Sequence, residues 1–368
     1  MAPGINPSRG REEALNADAA SQSKRQKLDG PLIGTHNGHF HADEALAVHL
    51  LRILPTYTNS PLVRTRDPAT LASCHTVVDV GGTYDASANR FDHHQREFTT
   101  VFPNRSTKLS AAGLVYMHHG PAIIAQLTGL SGDDVALLHE KLYADFIEAF
   151  DANDNGIDAI PSAALKQAGL TPKFDARGFT LAAVVNRYNH TGDAAAEEKL
   201  SKQEGQALED ERFMRASRFV GEQFELAVSD AASAWLPARG LVREAYGKRF
   251  DTHASGQIVV LPHRTGGLPW ADHLYEAEAE AGGEKVSYVL FPESGADDSK
   301  WRVRAVSVAR GEFSNRKDLP DAWKGVRDEE LSKLSGIPGC VFVHAGGFIG
   351  GNQTFDGALA MAVKAVEA

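Results

Sequence analysis

Residues 90–95 read Arg-Phe-Asp-His-His-Gln, so Asp92, His93 and His94 stand side by side. Imidazole and carboxylate are ligand types that divalent cations favour. Three further stretches carry the same types. "GTHNGHFHADE" (34–44) holds His36, His39, His41 and Asp43; "VVDVGG" (77–82) holds Asp79; "EAFDANDNG" (148–156) holds Asp151 and Asp154. Each has a plainer role when taken alone. A histidine at a strand end is commonly a hydrogen-bonded structural group, and Asp and Asn favour turns. The pair His118 and His119 lies on an amphipathic pattern and reads as structural.

Taken together the four stretches are harder to explain without a cation. His36, Asp43, Asp79, Asp92, His93 and Asp154 in one place would crowd carboxylates into a partly dry site. That is costly unless the charge is compensated. Two divalent metals would compensate it, with Mn²⁺ expected and Mg²⁺ or Zn²⁺ as alternatives. A carboxylate bridging two metals about 3.5–4 Å apart would position a nucleophilic water for phosphoryl displacement. On this reading Asp92, His93 and His94 are the catalytic candidates. Asp92 and His93 are ligands, and His94 supports them or faces substrate.

The elements that must position these residues follow from pattern. "PLIGTH" (31–36), "PLVRTR" (61–66) and "TVVDVGG" (76–82) predict strands. "ADEALAVHLLRIL" (42–54), with Leu46, Leu50, Leu51 and Leu54 on one face, predicts a helix, as do 110–120 and 132–154. Strands alternating with helices predict an α/β domain on a parallel sheet. Ligands in such folds bind beyond the carboxyl ends of the strands, where His36, Asp79 and Asp92 fall. A charged helical stretch follows over roughly 176–235. Strand patterns return at 257–262, 285–292, 301–308 and 339–347, and a helix closes the chain.

The bulk numbers bound the function. The chain has 368 residues, 42% of them hydrophobic, enough for about two domains with cores of their own. Its formal net charge is −10, so any nucleic-acid or phosphate site must be a local basic patch. Two cysteines, Cys74 and Cys340, exclude a disulfide framework and fit a reducing compartment. No apolar run approaches the roughly 18 residues of a membrane span. The first 30 residues are polar and without periodicity, which predicts a disordered tail. They hold the basic cluster Lys24, Arg25 and Lys27, which reads as a solvated tail or as a nuclear import signal.

The motifs quoted above, with "TKLSAAGLVY" (107–116), "WRVRAV" (301–306), "RKDLPDAWKGVRDEEL" (316–331) and "FVHAGGFIGGNQT" (342–354), resemble the DHH phosphoesterase superfamily. Within it they resemble the melanocyte proliferating gene family. The resemblance spans nearly all of 32–368. It implies a DHH-like metal-binding catalytic domain over 31–190, a helical connector over 191–235 and a C-terminal substrate-binding domain over 236–368. It also implies a 3′-to-5′ exoribonuclease acting on single-stranded RNA and linked to nucleus and mitochondrion, with the cytoplasm as the other expected setting. The implied metal ligands are His36, His41, Asp43, Asp79, Asp92, His93 and Asp154. One departure stands out: His41 replaces the first of two motif carboxylates, leaving one fewer negative charge. Asp154 is favoured over Asp151 because it directly precedes the turn.

"HAGGFIGG" (344–351) resembles the glycine-rich substrate loop of DHH-associated domains, which makes His344, Gly346 and Gly347 substrate-binding candidates. Glycines let backbone N–H groups approach a phosphate. Arg302 and Arg304 alternate on one strand, share a face and could grip a phosphodiester backbone. Arg96 and Lys108 are candidates beside the metals, and His263 and Arg264 weaker ones. Two other readings keep the same residues: a phosphohydrolase for pyrophosphate or short oligonucleotides, and a metal-dead scaffold. The "HFH" of 39–41 also suggests an amidohydrolase barrel, but the pattern lacks the eight strand–helix units that fold needs.

Overall fold

A computed structural model of the chain describes residues 29–368. The Lys24, Arg25 and Lys27 cluster lies outside them. The chain divides into two compact units, Met1–Val228 and Ser229–Ala368.

The first unit is built on a five-stranded sheet of order β2-β1-β3-β5-β4. Its strands are β1 (Ile33–Thr35), β2 (Leu62–Arg64), β3 (Thr76–Val78), β4 (Tyr84–Asp85) and β5 (Arg90–Phe91). All neighbours are parallel except β4 against β5. The strands are short, and β1 and β3 are buried along their whole length. Between β1 and β2 runs α1 (Ala42–Ile53), which packs on α2 (Ala111–Thr128). The leucine face predicted for α1 is only part of its buried surface. Ala42, Asp43, Glu44, Ala45 and Val48 are buried too, so α1 is a central helix rather than an amphipathic cover.

The helix predicted over 132–154 forms as α3 (Asp133–Leu142), a wide π turn (Tyr143–Ile147) and α4 (Glu148–Asp154). The charged helical stretch of roughly 176–235 holds α5 (Leu181–Tyr188) and α6 (Lys202–Asp230), and the first unit extends through it to Val228. Phe213 of α6 packs edge-on against Phe40, at 5.5 Å between ring centroids. Ser217 Oγ donates to the Ala45 carbonyl at 2.7 Å. The division between the units falls inside this helical run.

The second unit carries a sheet of order β6-β7-β8-β10-β9: β6 (Ile258–Val260), β7 (Tyr288–Pro292), β8 (Trp301–Ala305), β9 (Cys340–Val343) and β10 (Ile349–Asn352). Only β6 and β7 are parallel. The unit's longer helices include α7 (Leu236–Gly247), α8 (Ala271–Ala281) and α9 (Phe355–Glu367). One face of the sheet packs Leu290, Val303 and Val343 against Ala358, Met361 and Ala362 of α9. β10 departs from the expected loop. Gly350 and Gly351 are strand residues, paired with Val303 and Arg302. Among the described residues no helix is long and apolar enough to cross a membrane.

Candidate metal centre

His36, Asp79 and Asp92 each stand one residue past the end of β1, β3 and β5, three strands adjacent in the sheet. The N-terminus of α1 brings His41, Asp43 and Glu44, and the end of α4 brings Asp154. The loop of residues 36–41 is fixed on several sides. Arg64 Nη2 donates to the Gly38 carbonyl at 2.6 Å, and the Gly38 N–H donates to Glu209 at 3.1 Å. Asn189 bonds both the N–H and the carbonyl of Phe40.

Three overlapping sets of donor atoms result, each set within 4.8 Å: His36, His41, Glu44 and Asp79; Asp79, His93 and His94; His41, Asp43 and Asp154. Asp79 presents one oxygen to each side. Its Oδ2 lies 3.4 Å from His36 Nε2 and its Oδ1 lies 3.3 Å from His93 Nε2. His93 Nε2 is also 3.0 Å from Asp154 Oδ2. Yet among the described residues the buried atoms His93 Nε2, Asp79 Oδ1, Asp43 Oδ1 and Glu44 Oε2 have no aligned hydrogen-bond partner. Buried donor atoms that converge without hydrogen-bond alignment, at a site open to solvent only along its His41 and His94 edge, suit a common cation. The residues present therefore fit divalent metal, and Asp79 offers one oxygen to each of two donor sets. Asp79 also holds a left-handed backbone, φ +57°, a strain of roughly 1–3 kcal/mol of the kind that gathers at functional sites.

The electrostatics are those of a carboxylate cluster seeking positive charge. Burial pulls His36 down, but Asp79 and Glu44 outweigh it and raise it to about 10. Burial likewise opposes His93, which Asp154 and Asp79 raise to about 9. Asp79 is held at about 2 against its burial, because the His36 and His93 rings stand against its two oxygens. Asp43, fully buried and facing Asp79, Asp154 and Glu44, is pushed well up. In the protein alone, two imidazolium charges thus offset the carboxylates. Asp43→Asn replaces the most crowded carboxyl with a neutral group of equal shape. The variant is expected to melt at the same or a higher temperature without metal, and to lose most of the rise in Tm that Mn²⁺ gives the wild type. Thermal melts with and without Mn²⁺ check this.

Two residues differ from expectation. Asp92 does not join the donor sets. Its Oδ2 accepts from the Gly82 N–H at 2.6 Å, and its Oδ1 accepts from the His94 N–H at 3.1 Å and pairs with His94 Nδ1 at 2.7 Å. With both oxygens engaged, Asp92 holds the Gly81–Gly82 turn and orients His94. Burial opposes its ionisation, but these bonds keep its carboxyl below the usual range. Glu44 joins the cluster unannounced. It is wholly buried, and its Oε1 lies 3.0 Å from His36 Nε2 and accepts the His41 N–H at 2.8 Å. A glutamate three residues after a helix N-cap signals a side chain turned back on the helix start, and that signal was readable. Glu44 restores the charge that His41 removes from the motif.

The fourth stretch separates its two aspartates. Asp151 is saturated: its Oδ1 accepts from the Ser110 N–H (2.9 Å), Ser110 Oγ (2.8 Å) and the Gly113 N–H (3.1 Å), and its Oδ2 from Tyr143 OH (2.9 Å). It pins α4 to the start of α2, and Asp154, nearly one turn on, reaches His93. Burial raises Asp151 to about 7 despite these bonds. A Cβ on Gly113 would sit 2.3 Å from Asp151 Oδ1. Gly113→Ala is therefore expected to cost about 1–3 kcal/mol in urea unfolding, the usual price of overpacking.

The remaining candidates are scattered. His94 is exposed, its side chain 62% accessible. Lys108 Nζ lies 5.5 Å from the Phe98 ring, itself 6.2 Å from His93, so Lys108 stands at the rim. Arg96 is exposed on the same loop. The pair His118 and His119 packs its rings on Phe91, and His118 also meets Tyr84 OH at 2.8 Å, a structural role. In the second unit, Gly346 N–H donates to His344 Nδ1 at 3.0 Å and Gly347 N–H to the His344 carbonyl at 2.8 Å. The turn thus closes on itself and, as it stands, offers neither amide to a phosphate. Arg302 and Arg304 do share a face of β8.

Residues 32–366 match the family model MYG1_exonuc, "Uncharacterised protein family (UPF0160)". The chain belongs to this family. It is the melanocyte proliferating gene family that the motifs resemble. The MYG1 exonuclease of Mus musculus is 43% identical over 352 residues, 93% of this chain and 87% of the relative. The MYG1 exonuclease of Homo sapiens is 42% identical over 364 residues, 96% and 91% of the two chains. A MYG1 protein of Schizosaccharomyces pombe is 45% identical over 341 residues, 91% and 97%.

Proposed function

We propose that the chain is a divalent-metal phosphodiesterase that removes nucleotides from the 3′ end of single-stranded RNA. The observation that carries this is Asp79, which turns one carboxylate oxygen to His36 and the other to His93, beside buried Asp43 and Glu44 that each keep one oxygen without a hydrogen bond. The exonuclease name borne by similar mouse and human proteins supports it. His36, His41, Glu44 and Asp79 would hold one ion; Asp43, Asp79, His93 and Asp154 would hold the other. When bound, the ions, Mn²⁺ on this reading, polarise the phosphoryl group and make water a nucleophile near neutral pH. The chain does the rest. Arg64 and Asn189 keep the 36–41 loop in place, and Asp151 sets the position of Asp154. Asp92 orients His94, whose exposed ring can pass a proton to the leaving 3′ oxygen. Lys108 and Arg96 steer the phosphate to this end of the sheet. The nuclear or cytoplasmic setting, and the mitochondrial one implied by the resemblance, belong to the same proposal.

The test uses a 5′-labelled single-stranded RNA with the purified chain and Mn²⁺. A ladder of 5′-labelled fragments shortening from the 3′ end, abolished by chelation, is expected. Internal cuts, or turnover of pyrophosphate without any RNA cleavage, would replace this reading with an endonuclease or a small-molecule phosphohydrolase.

A further inference from the structure

The second unit presents one sheet face that its own helices cover only in part. Residues directly opposite one another in antiparallel strands share a face. One row on this face runs Phe291, Arg302, Gly351, Phe342 across β7, β8, β10 and β9; the next runs Val289, Arg304, Ile349. α7 and α8 bury the β6 and β7 side of the face, where Val259, Leu261 and Val289 meet Val242, Tyr246 and Leu274. Arg302, Arg304, Phe342, Phe348 and Ile349 stay partly exposed.

The two arginines are not equivalent. Arg302 pairs with Glu293 and lies over the Phe342 ring at 4.8 Å. It reaches that ring across Gly351, where a Cβ would come within 2.4 Å of its Nη1. The Arg304 guanidinium lies over Phe348 at 4.5 Å and has no carboxylate or hydrogen-bond partner among the described residues. Other arginines of the unit do have one: Arg243 pairs with Glu280, Arg310 with Asp272 and Arg316 with Glu278. A partly buried guanidinium without an anion is unfavourable in a chain of net charge −10. Beside it opens a cleft of about 450 Å³ whose walls include Trp270, Phe291, Leu268, Ile349 and Arg304, together with Asp272, whose carboxylate pairs with Arg310.

We infer that this cleft is a nucleotide subsite: the Trp270 and Phe291 rings take one base of a single-stranded nucleic acid, and Arg304 takes the adjoining phosphate. The inference rests on the nuclease reading and adds to it where the strand is held. Every base has a face that stacks on an aromatic ring, so such a subsite grips without selecting sequence. The arginine supplies the phosphate contact that the acidic chain otherwise repels.

The test is fluorescence anisotropy of a labelled single-stranded 12-mer RNA with the full chain in EDTA, where metal-dependent cleavage is suppressed. Trp270→Ala and Arg304→Gln are each expected to weaken binding roughly tenfold, the size of one lost stack or phosphate contact. Trp270→Phe, which keeps a ring, should bind within about threefold of wild type, and it decides the matter should circular dichroism show Trp270→Ala misfolded. A 12-mer with the same phosphates but no bases should bind the wild type roughly tenfold more weakly than the intact strand. Equal binding of intact and abasic strands, wild-type binding by Trp270→Ala and Arg304→Gln, or no binding by wild type would overturn the subsite. RNA bound at this cleft but never cut with Mn²⁺ would instead sink the nuclease reading and leave the subsite standing.

Discussion

His93→Ala is expected to lower Mn²⁺-dependent RNA hydrolysis by at least about 10³-fold, beyond the 10- to 100-fold typical of groups one step removed from a metal. The reason is that His93 serves two functions at once. Its Nε2 lies between Asp79 Oδ1, at 3.3 Å, and Asp154 Oδ2, at 3.0 Å. Without the ring, two carboxylates face each other with neither a ligand nor a positive charge between them. Metal affinity should fall with turnover, and calorimetric titration with Mn²⁺ measures that separately. Substitution at Asp79 should be as severe, since its two oxygens serve both sides of the cluster. Turnover near wild type in folded His93→Ala would move the chemistry away from this cluster.

His94→Ala is expected to behave differently, although the two residues are neighbours. The His94 side chain is exposed and is held by Asp92 at 2.7 Å, a carboxylate that itself stays outside the metal-donor sets. Removing it should lower kcat by about 10²–10⁴-fold, the range for a lost proton-transfer group. The Mn²⁺ affinity should change only a few-fold. Asp92→Asn should follow His94→Ala rather than His93→Ala, because both act on the orientation or presence of the same ring. Single-turnover rates and metal titrations on the three variants sort them into these two classes. A His94→Ala variant that no longer binds metal would make His94 a ligand instead.

The sequence made the frame of the site readable because its residues sit at the ends of short buried strands. Ile33–Thr35 and Thr76–Val78 are apolar or β-branched apart from one glycine, and a ligand-type residue follows each directly. β5 is only two residues long and leaves no periodic signal, yet Asp92 follows it at the same level of the sheet. What was not readable depends on partners distant in sequence. Asp92 looks like a ligand beside His93, but Gly82, ten residues earlier, claims its Oδ2. Asp151 looks as able as Asp154 until Ser110, Gly113 and Tyr143 are seen to saturate it. Glu44 carries no ligand signal of its own in the sequence, because a glutamate three residues past a helix N-cap already has a capping role open to it. In the second unit, Gly350 and Gly351 weakened the strand signal of β10, and a row of glycines read as a loop. The pairing with β8 shows why glycine is there: Arg302 needs the space.

The most direct test of the metal centre is anomalous X-ray diffraction from crystals of the full chain grown with Mn²⁺. Two peaks are predicted, about 3.5–4 Å apart, one on each side of the Asp79 carboxylate. The first should be bounded by His36, His41 and Glu44, and the second by Asp43, His93 and Asp154. The pair should vanish in His93→Ala or shrink to the first peak alone. Crystals of active enzyme with no anomalous density among these residues would contradict the account.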